Sequence, residues 1–309
     1  MAKCSRCGKA AVTYIRYNGS HLCEDHFMEY VERRVRAEVR RQVDLDTVGC
    51  IAVALSGGKD SSVALTLMHE IVSKREDVEL CAVTVDEGIQ GYRPLTLETA
   101  VSLTRTLGVD HRVTSFRGEF ETDMDHIVER MGDKKACTFC GVLRRRCLNS
   151  MAREMGAGAI ATGLNLDDTA QSILMNFTRG DVERLARLGP HRRVQPGLIP
   201  RIQPLRGIPE KEVYLYALLR QIPFSNEECP YSDSALRNEY REIVDMIEDR
   251  SPGSKYSILA SYDAILPLMR DHFPPAALKL CSCGESTIKE KCATCALLEE
   301  IGKVAQQNL

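Results

Sequence analysis

The stretch Cys50-Ile51-Ala52-Val53-Ala54-Leu55-Ser56-Gly57-Gly58-Lys59-Asp60-Ser61-Ser62 decides the fold. Its opening residues, Cys50 to Leu55, form an unbroken apolar run, the pattern of a short strand buried on both faces. Ser61 to Val72 then reads as an apolar helix. Between them Gly57 and Gly58 let the backbone turn tightly and come close to a ligand. The helix N-terminus presents unpaired N–H groups and a positive dipole end, which suits an anion. Lys59 adds positive charge, and the Ser56 and Ser61 hydroxyls add donors. The spacing is not G-x-x-x-x-G-K-[ST], so this is a phosphate cradle of a different kind from the Walker loop.

Outward from that loop, strands and helices alternate. Leu80–Val85 reads as a strand before a helix over Leu95–Leu107, and His111–Thr114 as a strand before a helical segment near 120–131. Ala159–Thr162 is another small apolar strand, followed by a helix from Asp167 to about Phe177. This alternation predicts βαβ units, hence an α/β fold with a parallel sheet and helices on both faces. Between Thr178 and Arg206 the pattern breaks at Gly180, Gly189, Pro190, Pro196, Gly197, Pro200 and Pro204. Arg179, Arg184, Arg187, Arg192, Arg193, Arg201 and Arg206 stud the same segment, which reads as a long, irregular, basic and functional loop. Helices near 211–220, 236–249 and 254–270 follow, with the Cys229-Pro230-Tyr231 loop between the first two.

A length of 309 residues suggests about two domains, and 44% apolar with 27% charged residues excludes global disorder. A net charge of −2 excludes a globally basic nucleic-acid binder while leaving room for a local basic surface. No apolar run is long enough to span a membrane and the N-terminus lacks a secretory apolar region, so a cytoplasmic protein without membrane contact is expected.

The 13 cysteines are clustered, which in a reducing compartment points to metal or catalysis rather than disulfides. Cys4-x2-Cys7, fifteen residues, then Cys23-x2-His26 has the spacing of a tetrahedral structural zinc site. His26 repeats the short spacing, so it is preferred to His21 as the fourth ligand. Cys281, Cys283, Cys292 and Cys295 read as a second zinc site. Cys50, Cys81 and Cys147 read as small core residues. Residues 30–44 read as a helix carrying Arg33, Arg34, Arg36, Arg40 and Arg41, either a solvated face or an RNA-phosphate contact.

Ser56-Gly57-Gly58-Lys59-Asp60-Ser61 at a strand–helix junction resembles the PP-loop of the ATP pyrophosphatase superfamily, whose members cleave ATP between the α and β phosphates and adenylate an oxygen. Gly163-Leu164-Asn165-Leu166-Asp167-Asp168-Thr169-Ala170-Gln171 matches that family's G-x-N-x-D-D-x-A-Q pattern. Gly163 permits close approach, and Asp168 would hold Mg²⁺ or orient the RNA; helix capping by Asp167 or Asp168 is the alternative. Within the superfamily, Cys137-Thr138-Phe139-Cys140-Gly141 and the distant Cys229-Pro230 resemble the tRNA 2-thiouridine synthetases of the TtuA type and their cytoplasmic relatives. That resemblance covers nearly the whole chain, since the family carries a zinc finger at each end. The terminal module departs from the family's C-x-x-C-G: Leu280 stands where the first Cys would fall.

The resemblance implies four segments: a zinc finger over 1–28, a basic linker helix over 29–48, a PP-loop catalytic domain over 49–272 and a second finger over 273–309. It implies an ATP site of Ala54, Ser56, Gly57, Gly58, Lys59, Asp60, Ser61, Val85, Arg144, Gly163 and Asp168, with adenine against the backbone near Val83–Val85. It implies a [4Fe–4S] cluster on Cys137, Cys140 and Cys229, with one iron free of protein thiolate to take a sulfide. Lys59, Asp60, Asp168, Cys140 and Cys229 would carry the chemistry, and Arg145 and Arg146 would contact RNA. A cluster-free rival puts a persulfide on Cys140, resolved by Cys229. A second rival is a non-catalytic zinc protein that binds RNA or relays sulfur. The implied partners are tRNA, a sulfur donor (sulfide or a ubiquitin-like thiocarboxylate) and a second copy of the chain. Uridine 34 and uridine 54 are both open as targets.

Overall fold

Residues 2–191, 194–195, 197–232 and 236–307 are described by a computed structural model. An N-terminal hairpin, β1 (Thr13–Ile15) and β2 (Ser20–Leu22), leads into α1 (Glu24–Gln42). Then come β3 (Cys50–Ala54), α2 (Lys59–Val72), β4 (Glu79–Asp86), α3 (Arg93–Leu107) and β5 (Asp110–Ser115). Two short helices, α4 (Phe116–Phe120) and α5 (Met124–Met131), precede the long α6 (Ala136–Glu154). The sheet resumes with β6 (Ala159–Ala161), α7 (Leu166–Thr178), α8 (Val182–Ala186) and β7 (Arg201–Ile202). Three helices follow, α9 (Glu210–Leu219), α10 (Arg237–Arg250) and α11 (Ser254–His272). A terminal hairpin, β8 (Lys279–Leu280) and β9 (Ser286–Thr287), ends in α12 (Ala293–Gln307).

The central sheet is parallel throughout, in the order β5-β4-β3-β6-β7. Ile51, Ala52 and Val53 of β3 are buried because helices cover both faces, as the apolar run predicts. One face packs α1, α2 and α9 through Phe27, Val31, Val35, Leu65, Met68 and Tyr216. The other packs α5 and α6 through Ile127, Phe139, Leu143, Cys147 and Met151. A third cluster joins α7, α8 and α11 through Ile173, Leu185 and Tyr262. Chain order runs outward from β3 to β4 and β5 on one side, then restarts with β6 on the other. Such a switch point opens a crevice at the carboxyl ends of the two central strands. The loop after β3 and the loop after β6 therefore face each other there.

Three elements differ from the sequence expectation. The helix expected over 120–131 is two, because Glu121 takes a left-handed turn (φ 57) and the Asp123 side chain caps a new helix at His126 N. The irregular segment 178–206 contains α8 and a fifth strand, β7, paired to β6 as Ile160↔Arg201 and Ala161↔Ile202. Its arginines Arg192 and Arg193, with Pro196, lie outside the described residues. The helix expected from residue 30 begins at Glu24, so His26 and the arginine run share one helix. Glu24 and Asp25 in its first turn favour that start.

Candidate nucleotide and thiolate site

Two glycines set the geometry of the loop after β3. Gly57 has φ +87, and a Cβ there would lie 1.9 Å from the Thr96 carbonyl oxygen. Gly163, after β6, has no room for a Cβ either: one would lie 2.7 Å from Ser61 N. The two loops thus pack backbone to backbone across the switch point. No side chain caps α2, whose N-cap is Gly58, so its first N–H groups are free for an anion. Ser56 and Ser61 hydroxyls lie 2.9 Å apart, and Ser61 Oγ donates to Gly58 O at 2.9 Å, which fixes the turn. Ser225 N donates to Gly57 O at 2.9 Å, so the segment running on to Cys229 is tied to the same loop.

Lys59 Nζ lies 3.0 Å from both Asp60 carboxylate oxygens and 3.3 Å from Glu210 Oε1. Asn165 Nδ2 also donates to Asp60 Oδ1 at 3.0 Å. Asn165 caps α7, and Asp168 completes a capping box by accepting from Asn165 N. The Asp168 carboxyl has a second neighbour, Arg237, 3.3 Å away. Burial pushes its pKa up, and Arg237 opposes that. Asp168 is therefore both a cap and a carboxylate facing the site. Asp167 is architectural: it accepts from Glu210 N at 2.8 Å and pairs with buried Lys255.

A second set of charges lies at the end of β4. The buried carboxylate of Glu87 pairs with Arg93 Nε at 2.7 Å and with Arg144 Nε at 2.7 Å. Arg93 donates to Ser56 O at 3.0 Å and to Val85 O at 2.5 Å. The Val85 carbonyl, expected beside adenine, is thus engaged by Arg93. Arg144, expected at the nucleotide, donates to Cys140 Sγ at 2.9 Å. Sequence reading passed over Glu87, Arg93, Glu210 and Arg237; the one available signal was the placement of Glu87 just past a strand's carboxyl end.

Cys137, Cys140 and Arg144 follow one another at helical spacing along α6, beside the core stripe Phe139, Leu143 and Cys147. Cys137 Sγ approaches Tyr231 O at 3.7 Å, bringing the Cys229 loop against the start of α6. Tyr231 also anchors that loop by donating to Asp125 at 2.7 Å. Burial pushes the Cys140 thiol up to about 11, against the pull of Arg144. Cys147 is buried and its thiol is raised to about 12 by burial, as a packing residue should be. Cys50 and Cys81 are likewise buried, 3.8 Å apart.

Among the described residues, the groups whose ligand atoms converge to single-ion distances are Cys4, Cys7, Cys23, His26 and Cys281, Cys283, Cys292, Cys295. A tetrahedral zinc with Zn–S of about 2.3 Å sets S···S edges of about 3.8 Å and S···N edges of about 3.5 Å. The sulfur pairs Cys7–Cys23, Cys281–Cys295 and Cys283–Cys292 are 3.7, 3.8 and 3.6 Å apart. His26 Nδ1 lies 3.5 Å from Cys4 Sγ and 3.3 Å from Cys23 Sγ. Both groups fit one tetrahedral ion. Leu280 is exposed while Cys281 is buried, so the C-x-C variant still delivers four thiols. Cys137, Cys140 and Cys229 are not among these single-ion groups.

The arginines divide. Arg34 is enclosed by Tyr17, Tyr30 and Tyr256 and donates to Gly207 O at 2.6 Å. Arg206 is buried against Asp263. Arg146 and Arg153 both pair with Glu285, clamping the terminal module to α6. Arg33, Arg40, Arg145, Arg179, Arg184 and Arg187 are exposed. Beside β7 lies a cleft of about 1060 Å³, walled in part by Arg41, Arg187, Arg201 and Arg270.

Among the described residues no helix is long and apolar enough to cross a membrane. A model of the PP-loop domain matches residues 29–247, and one of the N-terminal LIM domain of 2-thiouridine synthetase TtuA matches residues 3–28. The chain is 38% identical to the tRNA 2-thiolation protein NcsA of Haloferax volcanii, over 98% of this chain and 100% of that one. It is 35% identical to cytoplasmic tRNA 2-thiolation protein 1 of Bos taurus, over 97% and 88% of the two chains. Among solved structures it is similar to the U34-tRNA thiolase NcsA of Methanococcus maripaludis with its [4Fe–4S] cluster. The TM-score is 0.79 and the identity 37%, over 86% of this chain and 89% of that one. With a PP-loop at the switch point and relatives matched end to end, this chain belongs to the PP-loop family of tRNA 2-thiolation proteins.

Proposed function

We propose that this protein is an ATP-dependent tRNA-uridine 2-sulfurtransferase. The observation that carries the reading is the shared placement of two sites: a close-packed glycine cradle for phosphate, and a three-cysteine set tied to it through Ser225 and Arg93. ATP would lay its phosphates over Ser56–Ser61, with Asp60 and Asp168 holding Mg²⁺ through hard carboxylate oxygens. The uridine O2 would attack the α-phosphorus, forming an O–P bond as the bond to pyrophosphate breaks. Lys59 would stabilise the charge that develops, as fixed cations do in phosphoryl chemistry. Replacement of the adenylated oxygen by sulfur would then release AMP. Reaching the base requires it to leave its stack, which costs a few kcal/mol outside a loop.

Cys137, Cys140 and Cys229 would hold a [4Fe–4S] cluster, since three soft thiolates without a fourth suit iron–sulfur chemistry. When bound, such a cluster supplies an iron open to sulfide. The two four-ligand groups at the ends would hold zinc. The exposed arginines and the cleft beside β7 would meet the tRNA backbone. The target is taken as uridine 34, the position in the name of the Methanococcus relative. Sulfide or a ubiquitin-like thiocarboxylate would supply the sulfur, and the chain would act as a cytoplasmic homodimer.

The test is anaerobically reconstituted protein with tRNA, ATP and sulfide, followed by position-mapped mass spectrometry of nucleosides. The expected result is 2-thiouridine at position 34 with matching AMP and pyrophosphate. Thiolation without AMP would refute the adenylation step, and full activity in iron-free protein would refute the cluster.

A further inference from the structure

We propose that Glu87 is a positioning residue that holds Arg144 on Cys140 and braces it, through Arg93, against the nucleotide loop. Glu87 and Arg93 have side chains only 4% and 3% exposed, whereas Arg144 is 46% exposed. A buried carboxylate with one buried guanidinium is already balanced in charge. The second guanidinium leaves a surplus positive charge, and it faces Cys140 Sγ at 2.9 Å. A sulfur carrying negative charge is the group that such a surplus suits. The backbone around Glu87 is pinned for this task. Met124 N donates to Glu87 O at 2.8 Å, and Gly88, at φ +71, lies so near Asp123 that a Cβ would sit 2.5 Å from its Cβ.

Arg144 uses separate atoms for its contacts, Nε on Glu87 and an Nη on Cys140. Its orientation is therefore set by Glu87, while about half of its side chain stays exposed. Arg93 repeats the arrangement on the other side, with Nε on Glu87 and its Nη atoms on Ser56 O, Val85 O and Thr96 Oγ1. A single carboxylate thereby fixes the distance between the phosphate cradle and the sulfur site. In the proposed reaction that is the distance between the activated oxygen and the group that replaces it.

The inference rests on the proposed thiolation, and a double-mutant cycle tests it. Glu87→Gln should lower the thiolation kcat about tenfold or more, with KM for ATP changed less than about threefold, because loss of orientation acts on rate. Arg144→Ala should do the same, and the double variant should be no slower than Arg144→Ala alone, since residues acting through one another are not additive. Additive losses, or a Glu87→Gln enzyme with wild-type kcat, overturn the proposal. Should Glu87→Gln fail to fold, Arg144→Lys on the open end serves: one ammonium cannot make both contacts, so wild-type kcat in it also overturns the proposal. A second readout needs neither cluster nor turnover. In metal-free protein, iodoacetamide alkylation of Cys140, followed by mass spectrometry, should slow severalfold in each single variant and no further in the double. Equal alkylation in all forms overturns the positioning. Slowed alkylation in the variants, with a wild-type protein that makes no 2-thiouridine, instead overturns the thiolation while leaving the positioning standing.

Discussion

Replacing Gly57 by alanine isolates what close backbone approach contributes to the nucleotide site. Alanine meets two penalties there. Its φ of +87 is in the left-handed region, which costs an L-residue about 1–2 kcal/mol. Its Cβ would also lie 1.9 Å from Thr96 O, so the loop or the start of α3 must retreat by roughly 1.5 Å to reach ordinary contact. Displacement of about 1 Å in a reacting site costs on the order of 100-fold in rate. The variant should therefore melt a few degrees lower and bind ATP far more weakly, with kcat/KM for ATP down about 100-fold or more. Gly108→Ala is the matched control. It ends α3 at φ +66, and nothing lies within 4 Å of its Cβ position, so it pays the backbone penalty without the collision. Calorimetric ATP titration and thermal melts of both variants decide the matter. A folded Gly57→Ala protein with wild-type ATP affinity would refute the role assigned to close approach.

Two further outcomes follow from the metal-binding ends and from a buried acid. Cys292→Ser should lower the zinc measured by mass spectrometry from two equivalents per chain to about one, because a thiolate-zinc site needs its full ligand set. It should also lower the melting temperature, since the loop bearing Glu285 no longer holds Arg146 and Arg153; unchanged zinc content contradicts the assignment. Burial raises the Glu212 carboxyl from its ordinary 4.5 to about 7, against Tyr17 and Arg34. A raised acid favours the protonated folded state, so this group's contribution to stability declines as pH rises from about 4.5 to about 7. Glu212→Gln should flatten that decline in denaturant melts; an unchanged pH profile removes Glu212 as its source.

Much of the site is legible in the chain because local backbone physics writes it. Strand, glycine turn and helix follow from residues 50–72 alone, and hooks such as Cys4-x2-Cys7 place their ligands whatever the rest of the fold does. β7 escapes reading because two residues carry no periodicity, and its strand identity comes from pairing with β6. Charge is the other case. Arg33 and Arg34 are neighbours in sequence, yet one is solvated and the other sits among three tyrosines brought from the β1–β2 turn, α1 and α11. Arg144 stands one turn beyond Cys140 on α6, but its charge partner is Glu87, a buried residue just past β4 and far away in sequence. Backbone conformation is a property of a few consecutive residues, so the sequence by itself determined the cradle and the metal hooks. The partner of a charge is chosen by what the fold brings within 3 Å and by how much water it removes, and only the tertiary structure decided that.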